Sequence, residues 1–348
     1  MVTSKLRLDR IASSTRNAQL ASEVLIGPEI LCEEGRILAV RIASDKAVYN
    51  QVEDPTGRLI RLRAGDVLAG VLGARRALRG YEGEVPAALA AGDTIEVLNL
   101  GGVLGRCTAG NPDLGPPFQA EVLGAVLTFP RTGDRIGSPA TIHDHAVAMA
   151  DQLLDGPPIV AVVGTCMDAG KTVAAAEVIR GLSRAGVRVA GVKLTGVSLR
   201  RDALAMLDAG AVEALTFTDA GVVSTDETAA LATAFGLLNE LARSAKPDAI
   251  VAEFGDGILG EYGVATLLGS AELVDRIKAV VCCAPDQVGA WGAVEILRTT
   301  FGITPTVISG PATDNEVGCR FIRRRLGLPA ANARTGDGTL AAIVREAL

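Results

Sequence analysis

Aromatic residues are scarce in this chain. One Trp, three Tyr and seven Phe make up 3% of 348 residues, so any core has to be filled by small aliphatic side chains packed closely between sheet and helix. There are two histidines, and the six cysteines (Cys32, Cys107, Cys166, Cys282, Cys283, Cys319) stand at no paired-ligand spacing. That suggests neither a zinc site nor a disulfide frame, and reduced thiols fit best. No Lys/Arg run is longer than Arg323-Arg324-Arg325 and the net charge is −6, so the basic footprint of a nucleic-acid binder is missing. Apolar runs such as 159–163 and 279–283 fall far short of the roughly 20 residues a membrane helix needs, and the N-terminus has no apolar signal-peptide core. These absences predict a cytoplasmic protein that acts on a small soluble molecule, with neither nucleic acid nor membrane as partner.

What is present is a well-mixed chain, 49% hydrophobic and 21% charged, long enough for two ordinary cores. Up to about residue 130 it reads as short apolar runs (24–26, 37–42, 59–62, 67–72, 94–98, 122–127) punctuated by Gly, Pro, Asp and Asn. This predicts a β-rich N-terminal domain over 1–138, a small barrel or sandwich, with one helical interruption near 86–91. Residues 130–138 look like a connector, and 139–156 like a linker whose 142–154 stretch forms a helix. From 159 onward apolar strands alternate with amphipathic helices. The spacing predicts strands at 159–163, 188–192, 249–253, 279–283 and 304–308, and helices at 171–185, 201–207, 228–245, 289–300 and 315–326. That alternation implies an α/β domain over 157–348 with a doubly wound, mainly parallel sheet whose ligands lie beyond the carboxyl ends of the strands.

The strongest motif sits at the first of those ends: Gly164-Thr165-Cys166-Met167-Asp168-Ala169-Gly170-Lys171-Thr172, between an apolar strand and an amphipathic helix. Glycines let the backbone curl so that successive N–H groups face phosphate oxygens. The helix N-terminus adds partial positive charge, Lys171 reaches the β- and γ-phosphates, and Thr172 ligates Mg²⁺. The predicted nucleotide contacts are Gly164, Thr165, Asp168, Ala169, Gly170, Lys171, Thr172 and Val173. The loop carries one residue more than the usual G-x-x-x-x-G-K-[ST] spacing.

Lys193, in Gly191-Val192-Lys193-Leu194-Thr195-Gly196, ends the adjacent strand, where it can neutralise charge on a moving phosphoryl group; otherwise it is a solvated strand-end lysine. Asp202 opens a helix, as a cap or as a Mg²⁺ ligand. Glu253 ends a buried strand and is followed by the tight loop Phe254-Gly255-Asp256-Gly257, which points into the same crevice; Glu261 lies further on. Thr195, Gly255, Asp256 and Gly257 are candidate substrate contacts. Cys166 reads as a small side chain facing the loop interior, and His143 and His145 as capping or surface residues.

Together, GTCMDAGKT, GVKLTG followed by RRDALAM, and AEFGDG resemble dethiobiotin synthetase and its relatives among the P-loop amide-forming and carboxylating enzymes. The resemblance spans 157–348 and does not reach residues 1–150. It implies that Lys171 and Lys193 bracket the reacting phosphate, that Thr172, Asp202 and Glu253 hold Mg²⁺, and that the chain forms a homodimer. ATP is the implied nucleotide, with GTP left open because Val307-Ile308-Ser309-Gly310-Pro311 replaces the family's base-reading asparagine; Asp314 or Asn315 could take that role. The implied activity is that of a Mg·ATP-dependent ligase or carboxylase that activates a carboxylate or carbamate as an acyl phosphate. A small-molecule kinase would use the same residues, and a cofactor-handling accessory protein would use the same loop.

Overall fold

In Ile37–Ile42 the side chains of Leu38, Val40 and Ile42 join one buried cluster while Ile37 and Ala39 join another, the period-two split of a strand with apolar packing on both faces. In the computed structural model, which describes residues 3–129, 133 and 136–348, the same split recurs along Val67–Leu72, where Leu68 and Leu72 oppose Val67, Ala69 and Val71. Pairing explains it. Strands Ile37–Ile42, Val67–Leu72, Val103–Gly110, Thr94–Val97 and Phe118–Thr128 each bond to two others of the set and close into a five-stranded ring, so the sequence alternative of barrel or sandwich resolves to a barrel. Four of the five pairings are antiparallel; Val67–Leu72 with Val103–Gly110 is parallel. At Gly70 there is no room for a side chain, because a Cβ would lie 2.6 Å from the Gly102 carbonyl oxygen.

The chain divides into two compact units, the first made of Met1–Ala146 with Val197–Arg200 and Thr218–Ser224, the second of Val147–Gly196, Arg201–Phe217 and Thr225–Leu348. Two short segments from late in the sequence thus belong to the barrel unit, and polar side chains hold them there. Buried Glu53 accepts the Arg200 N–H at 2.7 Å and the Ser13 hydroxyl, and Asn99 Nδ2 donates to the Ser198 carbonyl at 2.8 Å. Asn17 Nδ2 reaches the Thr218 carbonyl at 2.8 Å, and Glu34 Oε1 accepts from Val223 and Ser224 at 3.2 and 3.1 Å.

Two expected helices do not form. The stretch near 86–91 is a non-helical segment ending in a turn, Asp93 N–H to Ala90 oxygen. Nor is 142–154 helical: His145 sits at φ +60°, and the backbone groups of Ala150, Gln152, Leu153 and Leu154 bond to Ala232, Asn239 and Glu272 instead of to one another. Most of the connector expected over 130–138 lies outside the described residues.

The second unit carries a six-stranded, wholly parallel sheet: β1 (Ile159–Gly164), β2 (Val189–Lys193), β3 (Ala214–Thr216), β4 (Ala249–Glu253), β5 (Ile277–Cys283) and β6 (Val307–Ser309), in the spatial order 3-2-4-1-5-6. Helix α1 (Lys171–Arg184) buries Ala174, Ala175, Val178, Ile179 and Leu182 against Val160, Val162, Val251 and Val281, which are the small aliphatic contacts that a chain poor in aromatics requires. Helix Ala230–Ser244 adds nothing to that cluster and packs on β2 and β3. Helix Gln287–Phe301 begins where Asp286 Oδ1 accepts the Gly289 N–H at 2.7 Å and ends at Gly302, φ +68°. The expected 315–326 helix is α-helical only over Glu316–Phe321 and widens to a π turn beyond it, while helix Thr339–Ala347 was not predicted. Among the described residues no helix is long and apolar enough to cross a membrane.

Candidate functional site

The phosphate loop leaves β1 at Gly164 and enters α1 at Gly170, whose φ of +95° is the left-handed geometry that glycine adopts freely. Asp168 also sits at positive φ, +62°. The first helical bond runs from the Ala174 N–H to the Gly170 oxygen at 3.0 Å, so the N–H groups of Lys171, Thr172 and Val173 precede the intrahelical ladder and face outward from the helix start. The Val173 side chain itself is exposed. Neighbours fix the loop on both sides: Thr165 N–H donates to the Cys283 oxygen at 3.1 Å, Ile258 N–H to the Gly164 oxygen at 2.9 Å, and Gly310 lies so close to the Ala169 oxygen that a Cβ there would overlap it.

Lys171 is buried and its ammonium donates to the Cys166 oxygen at 2.7 Å, curled back over its own loop. Burial holds its pKa below the usual lysine value against the pull of Glu253. Thr172 Oγ1 donates to Glu253 Oε1 at 3.1 Å. Register puts Lys193 of β2 directly beside Glu253 of β4, and the Lys193 ammonium lies 3.9 Å from Glu253 Oε1 while donating to Asp202 Oδ2. Burial alone would depress Lys193, but Asp202 and Glu253 outweigh it and raise its pKa. Asp202 is raised by burial and brought net below its usual value by Lys193. For Glu253 burial dominates, with Asp202 adding to it, and the carboxyl is pushed upward despite the lysines.

Lys171, Thr172, Lys193, Asp202 and Glu253, named from three separated motifs, therefore form one cluster. A Mg²⁺ ion suits it: Glu253 Oε2 is buried with no hydrogen-bond partner, and the hydroxyl-plus-carboxylate set is the hard-oxygen chemistry that Mg²⁺ takes together with phosphate and water. No group of three or more His, Cys, Asp or Glu among the described residues is arranged as a metal cage.

The four candidate substrate residues divide by role. Thr195 spends its hydroxyl on the Gly255 oxygen at 2.9 Å, and Gly255 packs on the Thr195 backbone with Lys193 Cε 2.9 Å from where its Cβ would be. Gly257 packs on the Thr165 oxygen and Cys166 Cα. Asp256, between them, is held at φ +70°. Asn315 caps helix Glu316–Phe321, its Oδ1 accepting from Val317 and Gly318, whereas Asp314 is bonded by Asn332 at 2.8 Å and by Arg334 at 3.2 Å. Cys282 and Cys283 are buried, and burial pushes the Cys282 thiol up to about 12. His143 and His145 lie in the barrel unit. Sequence reasoning missed the Cys283 and Gly310 contacts to the loop, which come from the end of β5 and the residue just after β6, remote in the chain, and carry no local signal.

No protein-family profile and no curated protein matches the chain. Among solved structures it is similar to a chloroplast FtsY from Physcomitrella patens (14% identity, 58% of this chain and 70% of that one, TM-score 0.38). It is also similar to a DUF1611 family protein from Anabaena variabilis (16%, 64% and 70%, TM-score 0.39). A third is the Signal Recognition Particle 54 kDa protein from Aeropyrum pernix in complex with GDP (19%, 55% and 49%, TM-score 0.36). None of the three is a dethiobiotin synthetase, so that resemblance rests on the sequence motifs alone. All three scores are below 0.5, and what assigns the second unit a P-loop nucleotide-triphosphatase fold is its own strand–loop–helix phosphate cradle in a parallel sheet.

Proposed function

We propose that the second unit binds Mg·NTP and transfers its γ-phosphoryl group to a small-molecule carboxylate or carbamate, which an amine then attacks, making the protein a ligase of the P-loop class. The observation that carries the reading is the meeting of Thr172, Lys193, Asp202 and Glu253 beside Lys171, with one Glu253 oxygen buried and unbonded. Phosphoryl transfer asks a protein chiefly for positioning and charge neutralisation, and two lysines beside a phosphate loop provide both. Thr172 and Glu253 would hold Mg²⁺, which when bound neutralises charge on the phosphate oxygens. Lys171, released from the Cys166 oxygen, would bond the β- and γ-phosphates. Lys193 would stabilise charge on the departing group, with Asp202 keeping it protonated and oriented. Adenine and guanine are both admissible bases, and a homodimer accompanies the ligase reading.

Isothermal titration with non-hydrolysable ATP and GTP analogues plus Mg²⁺, on the wild type and on Lys171→Ala and Lys193→Ala, tests the nucleotide site. Micromolar, Mg²⁺-dependent binding lost in Lys171→Ala is expected; absence of binding for both nucleotides overturns the proposal. Phosphate release that requires an amine as well as a carboxylate marks a ligase, and a stable phosphorylated product without amine marks a kinase.

A further inference from the structure

The loop after Glu253 does more than close the strand. Gly255 packs on the Thr195 backbone beside Lys193, and Gly257 packs on Thr165 and Cys166 of the phosphate loop, so the intervening residue stands between the second lysine and the phosphates' cradle. That residue is Asp256, an aspartate at φ +70°, a backbone conformation that costs a non-glycine residue free energy and persists at sites where a side chain must be presented in one place. Its carboxylate lies over Gly260, where any Cβ would strike Oδ2, so a bare backbone at 260 makes its room. The charges of Lys171 at the helix start, Lys193 on β2 and Glu261 in its own loop act on it. The metal cluster does not use it: Thr172, Lys193 and Asp202 are engaged with Glu253 or one another.

The geometry points to Asp256 as the proton acceptor of the reaction, the group that orients the nucleophile attacking at this site and takes its proton. This rests on the phosphoryl-transfer reading above. With water as the simplest nucleophile, the water oxygen–γ-phosphorus bond forms. The bridging oxygen–γ-phosphorus bond breaks, its electron pair staying on the nucleoside diphosphate, and the proton of the water passes to a carboxylate oxygen of Asp256. In the ligase reading the carboxylate that attacks γ-phosphorus carries no proton. When the amine then attacks the acyl phosphate, the nitrogen–carbon bond forms and the carbon–oxygen bond to phosphate breaks, its electron pair leaving on inorganic phosphate. The amine proton passes to the same Asp256 oxygen. Burial, first, then Glu261 lift the Asp256 carboxyl above the usual aspartate value while Lys171 and Lys193 pull it down. A base of raised pKa captures a proton more readily near neutral pH.

Single-turnover hydrolysis of whichever of Mg·ATP or Mg·GTP binds, followed from pH 4.5 to 8 in the full chain, tests the assignment. The variants are Asp256→Asn, which tolerates positive φ, and Asp256→Gly, which adopts it freely and removes the carboxylate. Both are expected to lose about 100-fold in rate, the usual worth of a positioned base, to keep the analogue Kd within about threefold, and to lose the acid limb of the wild-type pH–rate profile. A rate within threefold of wild type, an unchanged pH profile, or wild-type protein that binds nucleotide without hydrolysing it each overturns the assignment. So does a variant whose only defect is weaker binding. Wild-type protein that binds no nucleotide overturns the phosphoryl-transfer reading as well, a result separate from any loss confined to the variants.

Discussion

Glu253 and Asp202 differ by one circumstance. Asp202 has an ammonium bonded to it, whereas Glu253 is fully buried and bonded to a neutral hydroxyl, with Lys193 only at 3.9 Å. The folded Glu253 pKa is raised, so its favourable contribution to stability is complete below the unfolded value and is lost as pH rises through the folded one. Without nucleotide, Glu253→Gln is therefore expected to gain stability over wild type between pH 4.5 and 7, read as chemical-denaturation midpoints, while losing Mg²⁺-dependent nucleotide binding; a gap constant with pH would contradict the burial argument. Asp202→Ala leaves Lys193 buried without its nearest partner, and a loss of about 3 kcal/mol is expected in the same experiment. Lys171 was legible from the sequence because its spacing after Gly170 has one well-known use. The Thr172–Glu253 hydrogen bond was not, since 81 residues separate the two and only strand order joins them.

The elements around the phosphate loop are held by close backbone approach, and glycine is the means. Gly257→Ala would drive a methyl group into the Thr165 oxygen, and Gly310→Ala one into the Ala169 oxygen at a φ of +84°. Each is expected to cost about 1–3 kcal/mol of stability and to weaken nucleotide binding at least tenfold, measured by denaturation and titration on the same samples. Full-strength binding by both would mean that the loop tolerates displacement. Strands were read well from composition because five of the six in the parallel sheet contain near-continuous Val, Ile and Ala runs. The 142–154 helix does not form, because backbone groups at 150, 152 and 154 bond to Ala232 and Asn239.

At the scale of the molecule, the two units are expected to respond differently to nucleotide. Mg·NTP at about 100 times its Kd should stabilise the unit that binds it by about 2.7 kcal/mol. Hydrogen exchange is expected to show slowed amides in 159–196 and 249–258 and unchanged amides in the barrel strands; protection confined to the barrel would place the nucleotide elsewhere. Chain order alone suggests two consecutive domains, yet Val197–Arg200 and Thr218–Ser224 belong to the barrel unit through Glu53, Asn99, Asn17 and Glu34.

Local chemistry was enough to specify the alternation of strands and helices, the phosphate loop and the candidate lysines and carboxylates, because periodicity and loop spacing act over a few residues and are written where they act. Tertiary structure alone decided that the N-terminal strands close into a barrel, that β4 lies between β1 and β2 so that Glu253 meets both Thr172 and Lys193, and which late segments join the first unit. Those outcomes depend on pairing between residues far apart in the chain, where the free energy of contact is shared among many partners and no single stretch of sequence carries it.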